Sequence, residues 1–266
     1  MTLVIKIGGQ ALEEPRQRRA LARQIAELRR RGHRLVVVHG GGKLLTATLE
    51  RLGIPTRFAQ GLRVTDAATR DVALMVLAGI VNKQWVAELT RQGVPALGIC
   101  GGDAGLIAAR KIRGRTKGRS DDLGFVGRPR KVDTRILEVA FREGVVPVVA
   151  SLALGNKGEY LNVNADEFAA ALAIALEADR LFYLTESGGV WDAERRLLPV
   201  VKLSEIRSLI EGGIVRDGMI PKLESCARTL RQAVDEIDIL SPDVPNVLLG
   251  ALDNVARGGT RIVKAA

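Results

Sequence analysis

At 266 residues the chain is long enough to bury a substantial core, in one large domain or two coupled ones. Hydrophobic residues make up 47% and charged residues 26%, and no uncharged stretch is long enough to span a bilayer, so the composition argues against a membrane protein. The net charge of +10 permits a nucleic-acid partner, but aromatic residues are only 3% and offer no stacking platform, so we expect neither nucleic acid nor membrane as a partner.

The first predicted element is a strand over residues 3–7, which carries Lys6 in an apolar run and ends in Gly8-Gly9. A second apolar strand, residues 35–38, ends in His39-Gly40-Gly41-Gly42 and leads into a predicted helix. Because glycine has no Cβ, such turns let backbone N–H groups approach a ligand, and a following helix adds the positive end of its dipole. The two turns predict an anion site, with phosphate as the expected anion.

Neither turn matches the GxxxxGK[ST] or GxGxxG patterns, so a P-loop NTPase and an ordinary dinucleotide-binding enzyme are disfavoured. Each turn alone could equally be a plain connection from strand to helix.

Strands and helices continue to alternate along the chain. Helices are predicted over residues 16–31, over 43–52, and after the capping pair Thr65-Asp66; further strands are predicted over residues 96–100, 145–150, 180–184 and 236–240. Residues 106–111 and 125–132 are predicted to form an antiparallel excursion. This alternation predicts an α/β fold, a three-layer αβα sandwich around a mainly parallel sheet.

We place a boundary near Ala178, because the strand that starts at residue 180 opens a second α/β portion with its own glycine turn. The expected portions are residues 1–178 and 179–266. Cys100 and Cys226 lie far apart in apolar contexts, which predicts reduced core thiols rather than a disulfide or a metal site.

Three charged residues occupy positions that suit phosphoryl transfer. Lys6 lies at a strand end, and Asp166 and Lys222 lie at predicted helix starts. Two lysines beside one carboxylate would hold positive charge where a transferring phosphoryl group develops negative charge. Asp166 alone is more often a helix cap, and Lys222 alone is more often a surface lysine.

These residues resemble the amino acid kinase superfamily, and within it most closely the N-acetylglutamate kinase family. The resemblance covers nearly the whole chain, in order, through Lys6-Ile7-Gly8-Gly9, His39 to Gly42, Gly61-Leu62-Arg63-Val64-Thr65-Asp66, Val81-Asn82-Lys83, Leu123-Gly124-Phe125-Val126-Gly127, Asn162 to Asp166, and Gly218 to Lys222. No single motif is specific, whereas their order and spacing are. The resemblance implies the amino acid kinase fold and transfer of phosphate from ATP to a carboxylate.

The resemblance also implies roles for matching residues. The catalytic residues would be Lys6, Lys222 and Asp166. The residues that bind the acyl amino acid would be Gly41, Gly42, Arg63, Asn162 and Asn164. The residues that bind the nucleotide would be Gly8, Gly9, Thr185, Glu186, Gly188, Gly189, Asp217, Gly218 and Met219. ATP and Mg²⁺ are the expected cofactors, no protein metal ligand is expected, and the protein is expected to be cytoplasmic.

The resemblance further implies a homodimer. Only Met1 and Thr2 precede the first strand, whereas arginine-inhibited members of the family are implied to carry an extra N-terminal helix that joins dimers into a hexamer. We therefore expect activity that is insensitive to arginine.

Some residues depart from the family pattern, and alternatives stay open. Ala104 stands where a glycine is usual, Glu186-Ser187 replaces a common Asp-Val pair, and residues 241–246 lack the usual Gly and His. The nearest alternative is a kinase of carrier-protein-linked aminoadipate or glutamate, which the basic surface would suit. Another is a non-catalytic regulatory protein on the same fold, although the presence of Lys6, Asp166 and Lys222 argues against it.

Overall fold

The computed structural model describes residues 1–112, 114–116, 119–215, 219–255 and 258–264. The strands are β1 (Thr2–Ile7), β2 (Arg34–His39), β3 (Phe58–Ala59), β4 (Leu62–Arg63), β5 (Ala96–Cys100), β6 (Ile107–Lys111), β7 (Gly114–Thr116), β8 (Arg119–Asp121), β9 (Val126–Val132), β10 (Val146–Ala150), β11 (Leu152–Leu154), β12 (Tyr160–Val163), β13 (Arg180–Leu184), β14 (Val200–Lys202), β15 (Glu236–Leu240) and β16 (Gly259–Val263). The helices are α1 (Pro15–Arg30), α2 (Gly42–Arg51), α3 (Ala67–Ala73), α4 (Asn82–Arg91), α5 (Arg135–Arg142), α6 (Ala165–Ala175), α7 (Ile206–Glu211), α8 (Met219–Gln232) and α9 (Val247–Asp253). A π-helical segment, Leu74–Val81, joins α3 to α4.

The central sheet has eight strands in the order β14-β16-β15-β13-β1-β2-β10-β5. Neighbouring strands are parallel except β15 and β16, so β14 and β16 run against the rest. Alternate residues of β1 face opposite sides: Ile5 packs in a buried cluster with α1, and Val4 packs in another with α6 and α8. Helices therefore cover both faces, which confirms the predicted α/β sandwich.

Strand β1 lies between β2 and β13, with Ile7 paired to both His39 and Leu184. The turns that follow these three strands therefore meet at one edge of the sheet, at the carboxyl ends of parallel strands. Ligands of open α/β sheets bind at this edge. The strands on either side of the expected boundary near Ala178 pair directly, since Leu3 lies opposite Arg180.

A smaller sheet closes on itself in the order β11-β12-β9-β6. Strands β6 and β9 pair antiparallel, which confirms the predicted excursion. One residue, Ser151, separates β10 from β11, so this sheet starts at the carboxyl edge of the central one. Strand β12 pairs with β9 and brings Asn162 opposite Val126.

One continuous helical stretch, Ala67–Arg91, combines α3, the π-helical segment and α4. With 25 residues it is long and apolar enough, by length and composition, to cross a membrane. One of its faces is nevertheless packed in the core, where Val76, Val81 and Trp85 are buried beside the central sheet. A core helix of a globular protein meets the same criterion.

Cys100 and Cys226 are both buried and free, as the sequence predicts. Burial raises the pKa of the Cys226 thiol to about 12, so it is neutral at physiological pH and is not an activated nucleophile.

Candidate active site

Three charged side chains meet at the carboxyl edge of the sheet. Lys6 Nζ lies 2.8 Å from Asp166 Oδ1, and Lys222 Nζ contacts the other oxygen, Asp166 Oδ2. Lys6 comes from β1, Asp166 from the first turn of α6, and Lys222 from the first turn of α8. The fold thus brings together the three residues selected from the sequence as catalytic.

The Asp166 carboxylate remains ionised in this position. Burial alone would raise its pKa, but the charges of Lys6 and Lys222 and their hydrogen bonds outweigh burial and hold the pKa of Asp166 well below its usual range. Tyr183 lies beneath the centre, with Lys222 Nζ 5.0 Å from its ring centroid, and its hydroxyl donates to the Asp166 backbone carbonyl at 3.2 Å. Burial raises the pKa of Tyr183 well above its ordinary value, so the phenol stays neutral.

A cavity of about 340 Å³ opens beside Lys6. Nine of the residues predicted to act in catalysis or binding line it: Lys6, Gly8, Gly9, Gly41, Gly42, Arg63, Asn162, Asn164 and Asp166. Lys222 lines a second cavity, of about 540 Å³. The Asp166 carboxylate therefore connects a lysine of the first cavity to a lysine of the second.

Both glycine turns border the first cavity, and close contacts leave no room for a side chain at Gly8 or Gly41. A Cβ on Gly8 would lie 2.6 Å from Lys6 Nζ, so the lysine ammonium folds directly over this turn. Gly41 has φ +145°, and a Cβ there would lie 2.8 Å from Leu77 Cδ2. Helix α2 begins at Gly42, so the positive end of its dipole also faces the cavity.

Arg63 is held beside the cavity by the β3–β4 hairpin, whose two-residue turn, Gln60-Gly61, has positive φ at both positions. The side chain is largely buried, and Nη2 donates to Gly42 O at 3.0 Å and to Thr46 Oγ1 at 2.7 Å. Its guanidinium carbon lies 4.7 Å from the ring centroid of Phe58. Because both Nη2 hydrogens are used, a bidentate bond to a carboxylate requires Nη2 to leave Gly42 or Thr46.

The two asparagines that precede α6 have different environments. Asn164 is the N-cap of α6, since its Oδ1 accepts from Asp166 N at 2.9 Å and from Glu167 N at 3.2 Å. The cap interpretation of Asp166 is therefore wrong: Asn164 caps the helix, and the Asp166 carboxylate is left for the lysines. Asn162 Nδ2 donates to Thr65 Oγ1 at 3.3 Å and lines the cavity.

The second cavity contains several of the residues predicted to bind nucleotide. It is lined by Thr185, Ser187, Gly189, Trp191, Asp192, Ile214, Val215, Met219 and Lys222. Trp191 was not predicted as a site residue; it is 44% exposed, and its Nε1 donates to Ser187 O at 2.8 Å. The sequence feature that could have identified Trp191 is its position shortly after a glycine turn, because the chain has only two tryptophans.

The remaining predicted nucleotide residues lie elsewhere. Glu186 covers the first glycine turn, because a Cβ on Gly9 would lie 2.8 Å from Glu186 Cγ. Lys43, which was not predicted as a site residue, places its Nζ 2.5 Å from Glu186 Oε1. Gly188 packs on Ser241, with a Cβ there 3.1 Å from Ser241 Cβ. Asp217 and Gly218 lie outside the described residues.

A family model described as the amino acid kinase family matches residues 1–241. The acetylglutamate kinase of Koribacter versatilis (strain Ellin345) is 46% identical over 263 residues, which cover 99% of this chain and 99% of that protein.

Two solved structures share the fold. The N-acetylglutamate synthase of Neisseria gonorrhoeae, complexed with coenzyme A and N-acetyl-glutamate, aligns with a TM-score of 0.87 at 30% identity. That alignment covers 100% of this chain but 60% of the synthase, so the chain spans less than two thirds of that protein. The carbamate kinase of Giardia lamblia bound to AMP-PNP has a TM-score of 0.71 at 18% identity, over 99% of this chain and 98% of that one, which is a likeness of fold.

Proposed function

The chain belongs to the amino acid kinase family, and from this premise we propose that it transfers the γ-phosphoryl group of ATP to the side-chain carboxylate of N-acetyl-L-glutamate. The products are N-acetylglutamyl 5-phosphate, an acyl phosphate of arginine biosynthesis, and ADP. The acetylglutamate kinase that matches 99% of the chain supports this substrate. The observation that carries the proposal is the Asp166 carboxylate, which joins Lys6 of one cavity to Lys222 of the other.

In this reaction a carboxylate oxygen of the acceptor attacks the γ-phosphorus. The bond from that phosphorus to the β,γ-bridging oxygen breaks, and its electron pair leaves with ADP. No general base is needed, because the acceptor carboxylate is already ionised at neutral pH. The protein therefore contributes positioning and the stabilisation of negative charge.

Lys6 and Lys222 supply that stabilisation. Two ammonium charges and one carboxylate leave the Lys6-Asp166-Lys222 group with one net positive charge, at the junction of the two cavities. Asp166 lowers the cost of placing two cations side by side and fixes the position of each. It is a positioning residue for the lysines, and its depressed pKa keeps it ionised at any pH at which the enzyme works.

The first cavity is the proposed site for N-acetylglutamate. Arg63 meets the α-carboxylate, and the N–H groups of Gly41 and Gly42 meet the reacting carboxylate and the phosphoryl group. Asn162 meets the acetyl-amide end, and Asn164 contributes by capping α6 so that Asp166 keeps its place.

The second cavity is the proposed site for the adenosine part of ATP, with its phosphates directed towards Gly8 and Gly9. Trp191 and the apolar side chains of Ile214 and Val215 suit a purine ring. Mg²⁺, when bound, would neutralise charge on the β- and γ-phosphates. Within the described residues no group of three or more His, Cys, Asp or Glu side chains could hold a metal ion.

The proposal assigns a separate role to each portion of the chain and includes a homodimer. Residues 1–178 bind the acceptor and form a homodimer, and residues 179–266 bind the nucleotide. Three exposed apolar side chains support the dimer: Met75 and Ile80 on the π-helical segment, and Leu97 on the edge strand β5. Met75 and Ile80 are exposed on the helical segment, β5 leaves an open edge at the end of the central sheet, and a second copy would cover both the helix and the open strand edge. We place the enzyme in the cytoplasm, with the metabolite pools it would use.

The experiment measures ADP release with ATP and Mg²⁺ and, in turn, N-acetylglutamate, glutamate, aspartate, carbamate and UMP, with hydroxylamine present to trap an acyl phosphate. Turnover with N-acetylglutamate and formation of its hydroxamate are expected. Equal turnover with unacetylated glutamate would contradict the substrate assignment. Activity that requires an acidic carrier protein bearing the glutamate would favour the carrier-linked reaction instead.

A further inference from the structure

His39 closes β2 directly before the glycine turn and is fully buried. Its Nδ1 lies 2.9 Å from the backbone carbonyl of Gly40. A carbonyl oxygen only accepts hydrogen bonds, so Nδ1 must carry the proton of a neutral ring. The other ring nitrogen, Nε2, is then an acceptor, and Asn82 Nδ2 donates to it at 3.1 Å.

Asn82, the first residue of α4, is also fully buried and connects His39 to the sheet. Besides His39, its Nδ2 lies 2.8 Å from Val148 O on β10 and 3.2 Å from Ile99 O on β5. Two amide hydrogens are shared among these three acceptors. Asn82 Oδ1 accepts from Lys83 Nζ at 3.2 Å, so every polar atom of the asparagine side chain is used.

The bond from His39 fixes one peptide group of the glycine turn. Gly40 C=O and Gly41 N–H belong to the same peptide, and in a trans peptide they point in opposite directions. Because the carbonyl is held against the buried His39, the Gly41 N–H points away from His39, and Gly41 lines the first cavity. Among the described residues, no backbone carbonyl accepts a hydrogen bond from this N–H.

The turn is also held from the helix side. Leu77 and Val81 of the π-helical segment occupy the space where a side chain of Gly41 would lie, since a Cβ on Gly41 would be 2.8 Å from Leu77 Cδ2 and 3.1 Å from Val81 Cγ2. Asn82 follows Val81 immediately, so the end of the π-helical segment supplies both the packing and the hydrogen bond that hold the turn. Segments of π-helix are frequently found at functional sites.

We infer that His39 and Asn82 are positioning residues, which aim the Gly41 N–H at the anionic group of the acceptor. This inference rests on the proposed function for the identity of that group. The relay runs from Asn82 to His39 and from His39 to the Gly40 carbonyl, and neither side chain touches the substrate. Breaking the hydrogen bond from His39 to the Gly40 carbonyl frees the Gly40–Gly41 peptide to rotate and so weakens acceptor binding.

Two substitutions of His39 test its two hydrogen bonds separately, the one to the Gly40 carbonyl and the one from Asn82. In His39→Asn the side-chain amide reaches the place of Nδ1 and keeps a donor for Gly40 O, whereas in His39→Gln it reaches the place of Nε2 and keeps a partner for Asn82. His39→Gln should raise the KM for N-acetylglutamate about tenfold, the worth of one hydrogen bond in binding, with little change in the KM for ATP. His39→Asn should restore most of that loss.

Thr229→Val is the matched control. It removes another buried hydrogen bond, from Thr229 Oγ1 to Ser225 O in α8, and should leave both KM values unchanged. Hydrogen exchange of the amides of residues 40–43 in the ligand-free protein gives a readout that needs no substrate: exchange should be faster in His39→Gln than in wild type or His39→Asn.

The wild-type protein also provides a test that does not depend on a variant that folds. The chain has two histidines, so nitrogen NMR can assign the His39 ring, which should be the Nδ1–H tautomer. An Nε2–H tautomer would overturn the inference, and so would His39 variants that lose only thermal stability while KM and amide exchange stay as in wild type. If wild type phosphorylates no acceptor, the proposed function fails, and the tautomer and amide exchange still decide the inference.

Discussion

Lys6 and Lys222 bind opposite oxygens of one carboxylate, Asp166, although each lysine faces a different cavity. The side chains of both lysines are about nine-tenths buried, so little water screens their charges. In the proposed reaction, a phosphoryl group that passes from the second cavity to the first would move beside these two ammonium groups. The arrangement favours transfer over the separate binding of two ligands.

Lys222→Ala should lower kcat by roughly two to three powers of ten, with the KM for N-acetylglutamate nearly unchanged, because this charge acts mainly on the transition state. The measurement is steady-state ADP release across both substrate concentrations. Lys202→Ala, which removes an exposed lysine of β14, is the control and should behave as wild type. A Lys222→Ala enzyme that changed only KM would show that the lysine serves ground-state binding.

Arg63→Ala should chiefly raise the KM for N-acetylglutamate, by about tenfold or more, because a charged hydrogen bond to the α-carboxylate is lost. Thr46→Val provides a finer comparison. It removes the hydroxyl that accepts from Arg63 Nη2 but keeps the guanidinium, so Nη2 becomes available to the substrate and KM should change little. If Arg63→Ala and Lys222→Ala gave the same kinetic pattern, the separate roles assigned to them would be wrong.

The local sequence predicted much of this site because its main parts are strand ends and glycine turns. The apolar runs that lead to Gly8 and Gly40 identify β1 and β2, and parallel strands place their carboxyl ends together. The three-residue strands β11 and β14 were not predicted, since so short a segment has no periodicity and is defined by its pairing partner.

Tertiary relationships were harder to predict. The sequence offered Asp166 as a possible cap, and the choice of Asn164 instead depends on how the chain enters α6. The pair Lys43 and Glu186 joins turns that are far apart in sequence, so no local pattern could reveal it. His39 was noted as part of a motif, but its bond to Asn82 requires the packing of the long helix on the sheet.

Nucleotide binding should change the fluorescence of Trp191. This side chain lines the second cavity and is 44% exposed, whereas the only other tryptophan, Trp85, is fully buried. Titration with ATP should therefore quench or shift the emission of wild type, and Trp191→Phe should abolish the change. A signal that persisted in Trp191→Phe would mean that the nucleotide is bound elsewhere and is sensed by Trp85.

Stability should depend on the protonation of His39. Burial lowers the pKa of His39 to about 4; the bond to the Gly40 carbonyl opposes this shift, and the charge of Lys83 adds to it. The unfolded chain titrates near the ordinary value of 6.5, so between these values it binds more protons than the folded protein. Stability is therefore fully present above pH 6.5 and falls as the pH is lowered towards 4, by roughly 1 kcal/mol per pH unit.

Urea unfolding at pH 7.5, 6 and 5 tests this dependence. His39→Gln lacks the titrating ring, so its free energy of unfolding should fall less steeply than that of wild type. Burial raises the pKa of Asp238 to about 6, and this carboxyl titrates in the same range, but it is present in both proteins and cancels in the comparison. Parallel pH profiles would contradict a buried neutral His39.

The exposed apolar side chains of Met75 and Ile80 form the proposed region of contact with a second copy. Ile80 is 46% exposed on the π-helical segment, whose buried residues Leu77 and Val81 pack against the glycine turn. If a second copy covers this region, Ile80→Glu places a charge in an apolar interface and should convert the dimer to monomer in sedimentation velocity. Val255→Glu is the control, because Val255 is exposed but lies on another part of the chain, after α9.

The monomer produced by Ile80→Glu should also bind acceptor less tightly. The interface would brace the same helical segment that positions Gly41, so its loss should loosen the turn and raise the KM for N-acetylglutamate more than the KM for ATP. Both KM values of wild type should be measured at protein concentrations above and below that at which its dimer dissociates. A change that follows dissociation of wild type reports the coupling, whereas a change seen only in Ile80→Glu is a direct effect of the substitution. A wild-type protein that is monomeric at all concentrations would remove the dimer and the coupling together, whereas a stable dimer of Ile80→Glu would place the interface on a different face.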